Sequence, residues 1–151
     1  MIYRSVGALI GGQETISLSP QATVQEAAVL MAAHRVGAIP VMENGGHLVG
    51  LFTERDLLNR VIAKGLLPEA VQLADVMTAD PITITAGASL VNGLTVMFEH
   101  RFRHLPVLDG KRLIGVLSCR DIPPEYLVMW QNWDAAQNEL RAATVAAAAM
   151  A

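Results

Sequence analysis

The sequence predicts a mixed α/β (α+β) fold made of two β-α-β-β-α repeats. Three observations carry this reading. Gly50–Asp56 reads G-L-F-T-E-R-D and Gly115–Asp121 reads G-V-L-S-C-R-D, so one glycine, two apolar residues, a hydroxyl residue and an aspartate recur 65 residues apart. The surroundings recur too: Ile16 with Ile82, Met31 with Met97, His34-Arg35 with His100-Arg101, Pro40-Val41 with Pro106-Val107. Short apolar runs and helix-forming runs alternate in the same order in both halves. One such unit holds too little core to be stable alone, so the two are expected to pack about a pseudo-twofold axis.

Residues 1–14 read as a lead-in, with Ile2, Val6, Leu9 and Ile10 at helical spacing and Gly11-Gly12 as the stop. The first repeat is assigned to 15–65. Thr15 to Leu18 predicts a strand and Ser19-Pro20 a turn. Thr23 to Arg35 predicts a helix opened by a Thr23/Glu26 capping box and ended by Gly37. Its buried face is Val24, Ala27, Ala28 and Met31, with Leu30 at the margin. Ala38–Met42 and Leu48–Phe52 predict a hairpin turning at Asn44-Gly45-Gly46. Glu54 to Lys64 follows as a helix with Leu57, Leu58, Val61 and Ile62 apolar.

A linker, 66–76, allows a helical turn at Pro68 to Leu73. The second repeat, 77–122, restarts the pattern: a strand at Ile82–Ile84, a helix over Ser89–Arg101, and strands at Leu105–Leu108 and Leu113–Leu117 about Asp109-Gly110. Ala86-Gly87 stands where the first copy has a turn proline, Pro20, which predicts a looser turn. Pro123-Pro124 stops the helix after Ser118 within about two turns. Residues 123–151 form a helical tail that restarts at Pro124. Its stripe of Tyr126, Trp130, Trp133, Gln137 and Leu140 suits packing on the module, on a second subunit or on another protein.

Composition narrows the function. With 52% hydrophobic but 5% aromatic residues, the core must be aliphatic. A net charge of −3 argues against a general nucleic-acid binder. Cys119 is the sole cysteine, so no internal disulfide forms and a reducing, cytoplasmic setting fits. Neither a signal-type start nor a bilayer-length apolar run is present, so a soluble protein is expected. No nucleophile–base pair, paired catalytic acids or Walker-type loop is found, and the expectation is that the chain is not an enzyme. His100 and His104 are four apart across a predicted helix end, and His34 and His100 are equivalent positions, so a packing or capping role is expected and no metal site.

The stretches V-G-A-I-P-V, L-V-G-L-F-T-E-R-D, V-M-T-A-D-P-I-T-I, R-F-R-H-L-P-V and L-I-G-V-L-S-C-R-D together resemble a tandem pair of cystathionine β-synthase (CBS) domains, or Bateman module. The resemblance covers Thr15 to Ile122, and the chain is similar to small stand-alone bacterial CBS-domain proteins. It implies a regulatory homodimer that binds an adenosine-containing ligand (AMP, ADP, ATP, NADH or S-adenosylmethionine) in clefts between the repeats. Ligand-dependent repacking of repeats or subunits would then act on a partner protein in trans.

By the same resemblance, Asp56 and Asp121 bind ribose, and Thr53 and Ser118 bind phosphate or ribose. Adenine would be recognised near Ile16, Ala38, Ile39 and Pro40 in one site, and near Ile82, His104, Leu105 and Pro106 in the other. The chemistry fits: an aspartate accepts hydrogen bonds from ribose hydroxyls, and a hydroxyl beside free N–H groups at a helix start holds a phosphate oxygen. Each motif is equally a capping box, and each apolar residue equally a core residue. The alternative is therefore a dimerisation or interaction scaffold without ligand. Arg101, Arg103, His104, Lys111, Arg112 and Arg120 surround the second motif; Arg35, His47 and Arg55 attend the first. Most read as solvated charges. Arg103 and His104 adjoin Leu105-Pro106, which predicts tighter anion binding at the second site.

Overall fold

The computed structural model describes residues 5–44 and 46–150, the side chains at 129 and 130 excepted. Ile2, Gly45 and the Trp130 side chain, which enter the expectations above, lie outside the described residues. Among the described residues two three-stranded sheets form. In the first, β1 (Ala38–Glu43) pairs antiparallel with β2 (His47–Thr53), and β2 with β3 (Thr78–Ala79). In the second, β4 (Ile84–Thr85) runs parallel to β5 (His104–Asp109), which pairs antiparallel with β6 (Arg112–Ser118). The two hairpins share one irregularity, a register shift at Val41/Met42 and again at Val107/Leu108.

Helices α2 (Val24–His34) and α5 (Leu90–His100) supply the apolar faces. Thr23 and Glu26 form the capping box of α2, and the Ser89 hydroxyl accepts the Asn92 N–H at the start of α5. Val24, Ala27 and Met31 join Ile39, Val41 and Phe52 in one core; Leu90, Leu94 and Met97 join Leu105, Val107 and Leu117 in the other. Ala28 is half-buried at the edge.

The lead-ins are exchanged between the repeats. Helix α1 (Val6–Leu9) donates from Val6 N–H to Ala88 O at 2.8 Å and from Gly7 N–H to Ala86 O at 2.9 Å, and buries Val6 in the second core. Helix α4 (Leu73–Val76), in the linker, does the same to the first repeat: Leu73 N–H meets Ala22 O at 2.9 Å, Ala74 N–H meets Pro20 O at 3.0 Å, and Leu73 enters the first core. Beyond α4, β3 extends the first sheet through Gly50↔Ala79 and Leu51↔Thr78. Beyond α1, the Gln13 side chain takes the matching place beside β6, donating to Val116 O at 3.3 Å and accepting from Val116 N–H at 2.8 Å.

Several expected elements differ in length or type. The strand expected at Thr15–Leu18 is a single parallel bridge, Leu18↔Val41, and the one expected at Ile82–Ile84 begins only at Ile84. Pro40 and Pro106 have no N–H to donate, so each parallel ladder ends where proline would have to extend it. The helix expected over Glu54–Lys64 is one α-turn, α3 (Glu54–Asp56), that widens into a π-helix over Leu57–Ile62. The first expected helix is the single turn α1, and the linker holds a 3₁₀ turn at Pro68–Ala70 besides α4. The turn at Ala86 is bonded on both sides, its N–H donating to Leu108 O at 2.8 Å and its carbonyl accepting the Gly7 N–H at 2.9 Å.

After Ser118 one 3₁₀ turn, Cys119–Asp121, precedes the tail helix α6 (Pro124–Met150). Tyr126 and Trp133 pack on the second core, and Trp133 stacks on Phe98 with ring centroids 5.0 Å apart. Leu140, further along the expected stripe, is exposed.

A Cβ at Gly7 would lie 2.9 Å from both the Cβ and the carbonyl oxygen of Ala86, so the close approach of α1 requires glycine. Gly7→Val is expected to destabilise the fold by about 1–3 kcal/mol and lower the melting temperature by roughly 2 °C or more. Gly11→Ala, whose Cβ meets nothing nearer than 3.5 Å, serves as the control and should leave the melting curve in place. Equal melting of both variants would refute the requirement.

Candidate functional site

The motif glycines lie against the exchanged lead-ins. A Cβ at Gly50 would run into the Sδ of Met77, and one at Gly115 would sit 2.6 Å from Gln13 Oε1. Beyond each glycine, β2 or β6 ends in a hydroxyl residue that caps the next turn. Asp56 Oδ2 accepts the Thr53 N–H at 3.0 Å and the Thr53 hydroxyl at 3.2 Å, while Thr53 Oγ1 accepts the Asp56 N–H at 3.3 Å. Asp121 Oδ2 accepts the Ser118 N–H at 2.7 Å, and Ser118 Oγ accepts the Arg120 N–H at 3.2 Å.

The two carboxylates differ beyond this. Asp56 is 8% exposed, and its Oδ1 lies 3.4 Å from Arg60 Nε. Arg60 in turn donates to Val76 O at 3.2 Å and Met77 O at 2.9 Å, tying the π-helix to the linker. Asp121 is half-buried and makes no ion pair among the described residues. Arg60 escaped the sequence reading, although its i,i+4 spacing from Asp56 is a visible signal.

Two cavities flank these caps. A first cleft of about 260 Å³ brings Ile16, Ala38 and Pro40 of the first repeat to Ser118, Arg120 and Asp121 of the second. A second, of about 340 Å³, brings Thr53, Arg55 and Asp56 of the first repeat to Ile82, Arg101 and Phe102 of the second. Residues expected near adenine from one repeat thus share a cleft with the aspartate expected near ribose from the other. Ile39 and Leu105 are fully buried in the cores, and Pro106 is buried behind the cleft walls. His47, Lys111 and Arg112 belong to the hairpins and line neither cleft.

Glu54, Arg103 and His104 line both cavities and form the wall between them. Gln13, Glu14 and Phe102 also line the clefts and were not singled out from sequence. Around the rim the guanidinium groups make a symmetric exchange. Arg55 Nη1 donates to Arg101 O at 3.3 Å, and Arg120 Nη1 donates to Arg35 O at 3.4 Å. Both acceptors are helix C-caps in the left-handed region, at φ 56° for Arg35 and 57° for Arg101. His34 faces Glu14 at 3.7 Å and His100 stacks on Phe102, so neither histidine joins a ligand cluster. Among the described residues no group of three metal-ligating side chains occurs, and no helix is long and apolar enough to cross a membrane.

His104 packs against Gly37, where a Cβ would sit 2.9 Å from Nε2. Burial pushes its pKa below the ordinary 6.5. Glu54 and Asp121 pull it upward, while Arg120 and Arg103 reinforce the depression. The imidazole is therefore neutral at neutral pH, and the positive charge of the clefts belongs to the arginines.

Known proteins share the sequence pattern and the fold. Residues 12–63 and 73–122 match the family model of the CBS domain. The CBS domain-containing protein YhcV of Bacillus subtilis (strain 168) is 36% identical over 109 residues, covering 72% of this chain and 76% of YhcV. CBSCBSPB2 of Arabidopsis thaliana is 36% identical over 105 residues, 70% of this chain, but the match spans only 20% of that protein. The CBS domain protein PAE2072 from Pyrobaculum aerophilum, solved in complex with AMP, superposes with a TM-score of 0.74 at 28% identity, covering 85% of this chain and 97% of PAE2072.

The depressed pKa of His104 has a signed consequence. As pH falls below 6.5, the unfolded chain takes up a proton on His104 before the folded chain does, so stability declines until the folded imidazole also protonates. Melting curves from pH 7.5 downward should show this decline, and His104→Gln should flatten it. An NMR titration placing His104 at or above 6.5 would contradict the burial argument.

Proposed function

The chain belongs to the CBS-domain family, and from that we propose that it is a regulatory sensor of an adenosine-containing nucleotide. The observation that carries this is the crosswise construction of the first cleft. Asp121, whose Oδ1 makes no ion pair, and the Ser118 hydroxyl stand across from the apolar Ile16, Ala38 and Pro40, with Arg103 and Arg120 alongside. A carboxylate for ribose, a cation for phosphate and an apolar slot for a base are what such a ligand requires. The AMP held by PAE2072 supports the ligand class.

In this reading Asp121 and Asp56 hold ribose, Ser118 and Thr53 hold ribose or phosphate, and Arg103 serves phosphate in either cleft. A ligand that touches both repeats shifts their packing only by binding one arrangement better than another. The response would pass to a partner protein in trans, without catalysis, in the cytoplasm. Leu58, Ile62 and Leu67 are 60%, 52% and 62% exposed, which supports a second copy of the chain as a cover for this face and hence a homodimer.

A scaffold without ligand is the second reading, and Asp56 favours it. Its carboxylate is already engaged by Thr53 and Arg60, so ribose would have to compete with an ion pair. Isothermal titration of ligand-stripped protein with AMP, ADP, ATP, NADH and S-adenosylmethionine separates the readings. The sensor gives micromolar binding, with Asp121→Ala and Asp56→Ala each weakening one site by roughly tenfold or more. Melting curves control for the lost caps, which cost about 0.5–2 kcal/mol each. Flat traces for all five ligands on folded protein would establish the scaffold.

A further inference from the structure

The tail helix adds a third cavity on one side of the module only. A groove of about 760 Å³ lies between α5 and α6, walled by Arg55, Arg101, Arg103 and Arg141 together with Glu99 and Asp134. Four guanidinium groups thus face two carboxylates, an excess of positive charge. Arg55, Arg101, Phe102 and Arg103 also line the second cleft, so these side chains are the boundary between cleft and groove. The stack of Trp133 on Phe98 holds α6 in place, and Arg141 follows Trp133 and Gln137 at i+4 spacing on the same helical face.

The pseudo-twofold partner of this groove makes the contrast. Met31, Ala32, Arg35, Val36 and Arg120 occupy the equivalent positions on the first repeat, where the depression they line has two arginines, one glutamate (Glu54) and no tail residue. What distinguishes the two sides is α6, which sets Arg141, together with Asp134, beside arginines that the module itself supplies. We propose that the second cleft and the tail groove form one extended site for an adenosine polyphosphate, with Arg141 as a phosphate-binding residue. Ribose sits at Asp56, the first phosphate reaches the arginine boundary, and the outer phosphates lie in the groove against Arg141. Guanidinium groups suit this because each offers paired N–H donors to phosphate oxygens.

The proposal rests on the nucleotide-sensor reading, and the test keeps the two apart. In Asp121→Ala protein, which leaves the Asp56 cleft as the main site, ATP should bind roughly tenfold or more tightly than AMP by titration calorimetry. Adding Arg141→Gln, at an exposed helix position, should bring the ATP affinity towards that of AMP and leave AMP unchanged. Inorganic tripolyphosphate should bind the same protein weakly and lose affinity with Arg141→Gln. An ATP-to-AMP ratio untouched by Arg141→Gln, with both nucleotides still bound, would overturn the extended site and spare the sensor. Arg141-dependent binding of tripolyphosphate by protein that binds neither nucleotide would retire the sensor reading and leave the polyanion groove standing.

Discussion

The structure depends on an exchange of backbone hydrogen bonds between the repeats. The N–H groups of Val6 and Gly7 are satisfied by carbonyls of the second repeat, and those of Leu73 and Ala74 by carbonyls of the first. Each such bond contributes only about 0.5–1.5 kcal/mol, but leaving a buried N–H unmatched costs more. Burying Val6 and Leu73, both fully enclosed, adds roughly 1.5–3 kcal/mol apiece. Neither repeat completes its own core, so the pair is one cooperative unit.

The clefts follow from the same exchange. Because each lead-in crosses over, the segment that approaches Ile16 leaves the motif of its own repeat and comes to lie beside the motif of the other. At the glycines of the repeated motif the crossing segments lie close, with the Met77 and Gln13 side chains filling the space beside Gly50 and Gly115. Structure and candidate site therefore share a cause, and the aspartates serve both as caps and as the polar edge of the cavities.

Much of the fold was legible because its signals are local. Capping boxes at Thr23, Thr53 and Ser118, the two hairpins and the proline stop at Pro123-Pro124 each depend on residues a few positions apart. The crossing was not legible, since nothing near Leu73 indicates that its partner is Ala22 and nothing near Val6 points to Ala88. The role of Pro40 and Pro106 as ladder terminators required knowing that a parallel strand lies on that edge. The site residues were visible singly, but their crosswise combination depends on tertiary packing. Arg141 lay beyond reach altogether, because its position at the groove depends on how α6 rotates against α5.

The exchanged lead-ins also bear on how such a chain could arise. A single repeat with its own lead-in, placed about a twofold axis with an identical copy, would satisfy the same backbone groups by donating its helix to its neighbour and receiving the neighbour's in return. Two separate half-length chains can therefore build, by domain swapping, the architecture that one chain builds here. Fusing them through a linker such as 66–76 makes the swap intramolecular, replacing a concentration-dependent assembly with a unimolecular one. It also frees the two halves to diverge, as the tail on only one of them shows.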